Sequence, residues 1–98
     1  MAVCLIMQFA GMDTSKYDAV MEKLGLNGAN PNWPKGILSH VAARTGEGLC
    51  VVDIWESQQD FDAFMNSRLK PAFDAVGGLP QPRVTSFQVY NSYGIKSS

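Results

Sequence analysis

The sequence predicts an α+β fold of the split βαβ, ferredoxin-like kind: a four-stranded antiparallel sheet with two helices on one face. Three observations carry this. The hydrophobic patterns follow one another as strand, helix, strand, strand, helix, strand, which is the βαββαβ order of that sandwich. The chain has 98 residues, room for one core, so residues 1–98 are read as a single domain. The first and third strands are apolar on both faces. A sheet of that kind needs two covers, so a second copy of the chain is expected over the face the helices leave bare.

Ala2 to Ala10 is a run of apolar residues with Val3, Leu5, Met7 and Phe9 on one face and Cys4, Ile6 and Gln8 on the other, the alternation of a well-buried strand. Gly11 breaks it. Asp13, Thr14 or Ser15 can then cap a helix over 14–24, whose apolar stripe Tyr17, Val20, Met21 and Leu24 is spaced i, i+3, i+4, i+7, with Gly25 as its stop. Leu26 to Gly36 is turn chemistry rich in Asn, Gly and Pro. A loop that long in a small domain is often a lid, so Trp33 is read either as a cover on the core edge or as a lid over a pocket.

The stretch from Lys35 to Ser57 reads as a β-hairpin. With Thr45-Gly46-Glu47-Gly48 as its loop, Arg44 faces Leu49, His40 faces Asp53 and Leu38 faces Trp55. One hairpin face then carries a base, an acid and an indole, although a one-residue change in loop length would move Asp53 to the other face. Ser57 caps a second helix from Gln58 to about Arg68, with Phe61, Phe64 and Met65 inward. Pro71 is expected to break it before a separate turn over Pro71–Val76. A Gly- and Pro-rich loop follows, then a last strand from Val84 to about Tyr93 and a tail from Ile95 to Ser98.

Composition excludes several function classes. The net charge is −1 and the basic residues are scattered, so no nucleic-acid partner is expected. Charged residues make up 17% of the chain against a usual share of about 25%, which again favours an oligomer. No apolar run approaches the about 20 residues a membrane span needs, and MAVCLIMQF lacks the basic start of a signal peptide. Cys4 and Cys50 lie far apart in strand-like runs and are read as buried free thiols, and the protein as cytoplasmic. With one histidine and no clustered carboxylates, no metal site is expected.

The candidate chemistry therefore centres on His40. Imidazole titrates at about 6.5, so it serves as base or hydrogen-bond donor near neutrality, and a cross-strand Asp53 would fix its tautomer. Ser39 is on the opposite strand face and cannot be a nucleophile served by that histidine. Arg44, on the face of His40, is an anion clamp or a solvated hairpin end. Trp55 is core or a stacking surface for a planar ligand. Tyr17, Gln8, Tyr90 and Asn91 are polar-tipped candidates for pocket hydrogen bonds.

The apolar first strand, the Gly11-Met12 turn before Tyr17-Asp18-Ala19-Val20-Met21, and above all Val51-Val52-Asp53-Ile54-Trp55-Glu56-Ser57 followed by Phe61 and Phe64 resemble the dimeric α+β barrel superfamily. The closer likeness is to its short members of the antibiotic-biosynthesis-monooxygenase type, and it covers nearly the whole chain. The resemblance implies a homodimer whose two sheets form a barrel, with a pocket between sheet and helices in each subunit. The superfamily also includes haem degraders, for which His40 would be the axial ligand, but no cofactor is expected here. Two readings follow. One is a cofactor-independent enzyme acting on a planar aromatic or polyketide-like substrate, with His40 as base, Asp53 orienting it, and Trp33 and Trp55 sandwiching the substrate, Tyr17 and Arg44 completing the binding set. The other is a non-enzymatic dimeric module that binds a small ligand or serves a stress response.

Overall fold

A computed structural model describes residues 1–94, and the tail expected at Ile95–Ser98 lies outside the described residues. The elements are β1 (Val3–Ala10), α1 (Thr14–Leu24), β2 (Ile37–Arg44), β3 (Gly48–Trp55), α2 (Gln58–Phe64), a π-helical turn (Met65–Leu69), α3 (Lys70–Val76) and β4 (Arg83–Gln88). The strands form one antiparallel sheet in the order β2-β3-β1-β4, with the helical layer on one face. This is the ferredoxin-like sandwich that the hydrophobic patterns predict.

The two central strands, β1 and β3, are the ones that read as apolar on both faces. Val3, Leu5, Met7, Phe9, Leu49, Val51 and Trp55 point into the helical layer and are buried, where they meet Val20, Met21, Leu24, Phe61, Phe64 and Leu69. Their alternates Cys4, Ile6, Cys50, Val52 and Ile54 are only half-buried, since no described element of the same chain covers the outer face of the sheet. The thiols of Cys4 and Cys50 are free and lie on that face, so the expectation that both are buried does not hold for the single chain. Val41 on β2 and Phe87 on β4 extend the same apolar surface and are 53% and 56% exposed.

Local chemistry sets the helix ends. Asp13 caps α1 by accepting from the Lys16 backbone N–H, and Gly25 ends it in the left-handed conformation. Ser57 caps α2 by accepting from the Asp60 backbone N–H at 3.1 Å. The expected break at Pro71 does not occur. Instead α2 runs through a π turn directly into α3, Lys70 keeps helical angles, and its N–H reaches the Met65 carbonyl five residues back. The wide turn absorbs the fault that a proline introduces: Pro71 has no N–H to give, and the shift in register comes just where its ring would crowd the preceding turn.

Two strand expectations are also corrected. Ile37, not Leu38, pairs with Trp55, because Leu38 is the extra residue of a bulge between Ile37 and Ser39. The bulge lets Ile37 and His40, an odd number of residues apart, both face the helices. The last strand stops at Gln88 rather than near Tyr93. Gln88 is already opposite Val3 and the Val89 N–H goes to the Ala2 carbonyl, so the chain beyond has no strand left to pair with. Tyr90 and Tyr93 are fully exposed there.

Candidate active site

The hairpin register puts His40 directly opposite Asp53, on the face covered by the helices. His40 Nδ1 lies 2.6 Å from Asp53 Oδ1, and the other carboxylate oxygen accepts from the Trp55 indole N–H at 3.3 Å. Asp53 is 4% exposed, the one buried acidic side chain among the described residues. A carboxylate can only accept, so Nδ1 carries a proton toward Asp53, and whenever the ring is neutral Nε2 keeps its lone pair. That lone pair faces Tyr17, whose hydroxyl lies 2.6 Å from Nε2 and donates to it. Tyr17 comes from the inward stripe of α1 and its ring lies nearly parallel to the imidazole, at 11°. The result is a hydrogen-bonded row from helix to sheet: Tyr17, His40, Asp53, Trp55. Burial, with the negative charges of Asp53 and Asp18, holds the Tyr17 phenol above its ordinary pKa, so it stays a donor.

This row borders a cavity of about 50 Å³ between the sheet and the helical layer. Its remaining wall is apolar, with Met7, Met21, Val51, Phe64 and Phe73 among the contributors, and among the described residues no lysine or arginine takes part. Trp33 and Pro34 close one side. The Trp33 ring is 40% exposed and sits 5.3 Å from the imidazole, tilted 47° to it, so the long loop is a cover over His40. The loop is held at both ends. Arg68, from the π turn, donates to the carbonyls of Leu24 at 2.8 Å and Asn32 at 3.2 Å, tying the end of α1 to the residue before Trp33. Gly36 closes the far end at φ +93, where any Cβ would run into the Asp60 side chain.

Arg68→Ala removes both tethers and is expected to loosen the cover. The two tryptophans make this measurable, because Trp55 is fully buried and only Trp33 meets solvent. Acrylamide quenching of tryptophan fluorescence should rise in Arg68→Ala and stay near wild type in Arg83→Ala, a control on β4. Equal quenching in all three proteins would show that Arg68 does not hold the loop.

The other sequence candidates fall elsewhere. Trp55 is wholly buried beneath Asp53, edge-on to Phe61 and against Phe64, and does not line the cavity, so a substrate sandwich between Trp33 and Trp55 is not available. Arg44 is exposed at the hairpin end, outside the cavity wall. Gln8 points to the outer face of the sheet, and Tyr90 and Asn91 are exposed beyond β4. The Tyr17 to His40 bond, the Trp55 to Asp53 bond and the Arg68 clamp were not foreseen from sequence. The stripe that sends Tyr17 toward the helix-facing side of the hairpin was the available signal for the first.

No family model matches the chain, and no curated protein does. Solved structures do. SnoaB, a cofactor-independent oxygenase from Streptomyces nogalater, aligns with a TM-score of 0.69 at 13% identity, over 95% of this chain and 97% of that one. A protein from Chloroflexus aurantiacus assigned as an antibiotic biosynthesis monooxygenase aligns at 0.68 and 17%, over 98% and 100%. The fold is that of the antibiotic-biosynthesis-monooxygenase-like proteins. MhuD, a haem degrader from Mycobacterium tuberculosis solved with two haems in its active site, shares it more distantly, with a TM-score of 0.52 at 20% identity over 96% and 100%.

The present site does not fit a haem. Both nitrogens of the single histidine are engaged, Nε2 by Tyr17 and Nδ1 by Asp53, so neither is presented to a metal.

Proposed function

We propose that this protein is a cofactor-independent, monooxygenase-like enzyme that removes a proton from a neutral planar aromatic or polyketide-like substrate, with His40 as base and Asp53 orienting it. The observation that carries this is the Tyr17–His40–Asp53 row bordering a covered apolar cavity. The row gives a proton a place to go, and the apolar wall suits a flat hydrocarbon framework. With Asp53 in the wall and no cation there among the described residues, the cavity disfavours substrates that carry a carboxylate or phosphate.

An anthrone has the required chemistry. Loss of one methylene proton leaves a carbanion delocalised over the rings. The carbanion passes an electron to molecular oxygen, and the two radicals combine to a peroxide anion, which takes the proton back from the His40 imidazolium and so resets the base. Loss of water from the peroxide leaves the quinone carbonyl, so one anthrone and one oxygen molecule give one quinone and one water. The protein's part is to take the proton and to hold the carbanion away from bulk water. Tricyclic rings need more than about 50 Å³, so the Trp33 loop must move aside to admit them.

Oxygen uptake with anthrone tests the reading. Wild type should turn the substrate over, and His40→Gln should lose about 10²- to 10⁴-fold in rate, the usual contribution of a positioned general base. Equal rates would remove His40 from the mechanism. A wild type that binds flat aromatics without turning them over would favour the ligand-binding or stress-response module, in which the same hydrogen bonds serve only to satisfy the buried Asp53.

The working form is proposed to be a cytoplasmic homodimer closed through the outer sheet face. Cys4, Ile6, Val41, Val52, Ile54 and Phe87 leave too much apolar surface uncovered in one chain. Sedimentation at micromolar concentration should give twice the 10.7 kDa chain mass, and Val41→Lys should shift it toward the single-chain value. A single-chain mass for wild type contradicts the dimer.

A further inference from the structure

We propose that Tyr17 is the group that meets the substrate: its phenol oxygen takes the substrate proton while its own proton passes to His40 Nε2. This rests on the reading of the cavity as a proton-abstracting site and assigns its first acceptor.

The inference follows from which lone pairs are free. In the neutral ring, the form that can take a proton, the Nε2 lone pair is occupied by the Tyr17 hydroxyl at 2.6 Å and Nδ1 carries the proton that faces Asp53. Both oxygens of Asp53 are engaged, one by His40 and one by Trp55. Trp33 covers the imidazole from the loop side, and its indole nitrogen is a donor only. Asp53 keeps further lone pairs but is 4% exposed and held by His40 and Trp55, so the Tyr17 oxygen, which accepts from no described residue, is the neutral acceptor at the cavity.

In the step, the bond between substrate carbon and hydrogen breaks and its electron pair stays on the substrate. A new O–H bond forms at Tyr17. The original Tyr17 O–H bond breaks, and that proton binds Nε2. The products are a substrate carbanion and an imidazolium paired with the Asp53 carboxylate, while Tyr17 is neutral at the start and the end. A phenol held protonated by burial and by Asp53 suits this role, because it carries the proton through without resting as a phenolate. Direct attack by His40 would instead require Tyr17 to leave and its bond to be lost.

Tyr17→Phe removes one oxygen and keeps the ring, so the variant should fold. Anthrone oxidation by oxygen uptake is compared in wild type, Tyr17→Phe and His40→Gln, with anthrone affinity read from Trp33 fluorescence. The expected result is a rate about 10²-fold lower in both variants, with Tyr17→Phe binding anthrone within about threefold of wild type. Full or increased turnover in Tyr17→Phe, with loss in His40→Gln, overturns the assignment and leaves His40 as the direct base. Loss of anthrone affinity in step with turnover overturns it too, since Tyr17 would then be a binding group. An inert wild type overturns both this assignment and the reading it rests on.

Discussion

Asp53→Ala should lower the unfolding free energy by about 3–5 kcal/mol, because two hydrogen bonds to a buried carboxylate are lost together. The carboxylate is 4% exposed and serves two donors, His40 at 2.6 Å and Trp55 at 3.3 Å. Alanine leaves the Trp55 N–H with no acceptor inside a wholly buried ring and frees the imidazole to turn, and each bond to a charged group is worth roughly 1.5–3 kcal/mol. A small domain has only about 5–15 kcal/mol in total, so the variant should unfold at far lower urea than wild type. The comparison belongs at equal protein concentration, because a dimer's stability depends on it. A change below about 1 kcal/mol would mean that water reaches Asp53 and that the row is weaker than its distances indicate.

Trp55→Ala should cost a similar amount by a different route. The ring is 0% exposed and packs edge-on to Phe61 at 5.6 Å and against Phe64 at 5.5 Å, so truncation opens a large void in the centre of the core. Aromatic-to-alanine changes in cores cost about 3–5 kcal/mol. Trp55→Phe separates packing from hydrogen bonding: it keeps most of the volume but withdraws the N–H from Asp53, and should cost about 1–3 kcal/mol. Because both residues act through one bond, Trp55→Phe and Asp53→Ala should be less than additive when combined. Strict additivity in urea unfolding would show that the indole N–H does not support the carboxylate.

These two positions show what could be read from sequence. The loop count alone set His40 against Asp53, because side chains alternate with a period of two and one correct turn fixes every pair beyond it. The same count misplaced Leu38, since a bulge adds a residue without any mark in composition. The helix stripe from Tyr17 to Leu24 was legible from its spacing, but the spacing says only that Tyr17 faces the sheet. Which atom it reaches depends on how α1 sits across the hairpin, and that is set by packing. Pro71 misled for a related reason: the rule that proline ends a helix is local, whereas the burial of Phe61, Phe64, Leu69 and Ala72 on one continuous face holds the helix together through a π turn. Trp55 reads from sequence as core or as a stacking surface, and its 0% exposure makes it core. Its place beneath Asp53 makes it a support for the acid.

The central claim is that the row from Tyr17 to Asp53 takes a proton from a bound planar molecule, and proton removal can be separated from oxygen chemistry. Anthrone in deuterium oxide under nitrogen exchanges its methylene protons without being oxidised, and the exchange is followed by proton NMR. Wild-type protein should accelerate that exchange over buffer, and His40→Gln should abolish the acceleration while still binding anthrone. Exchange equally fast with His40→Gln, or no faster with wild type than in buffer, would contradict the claim.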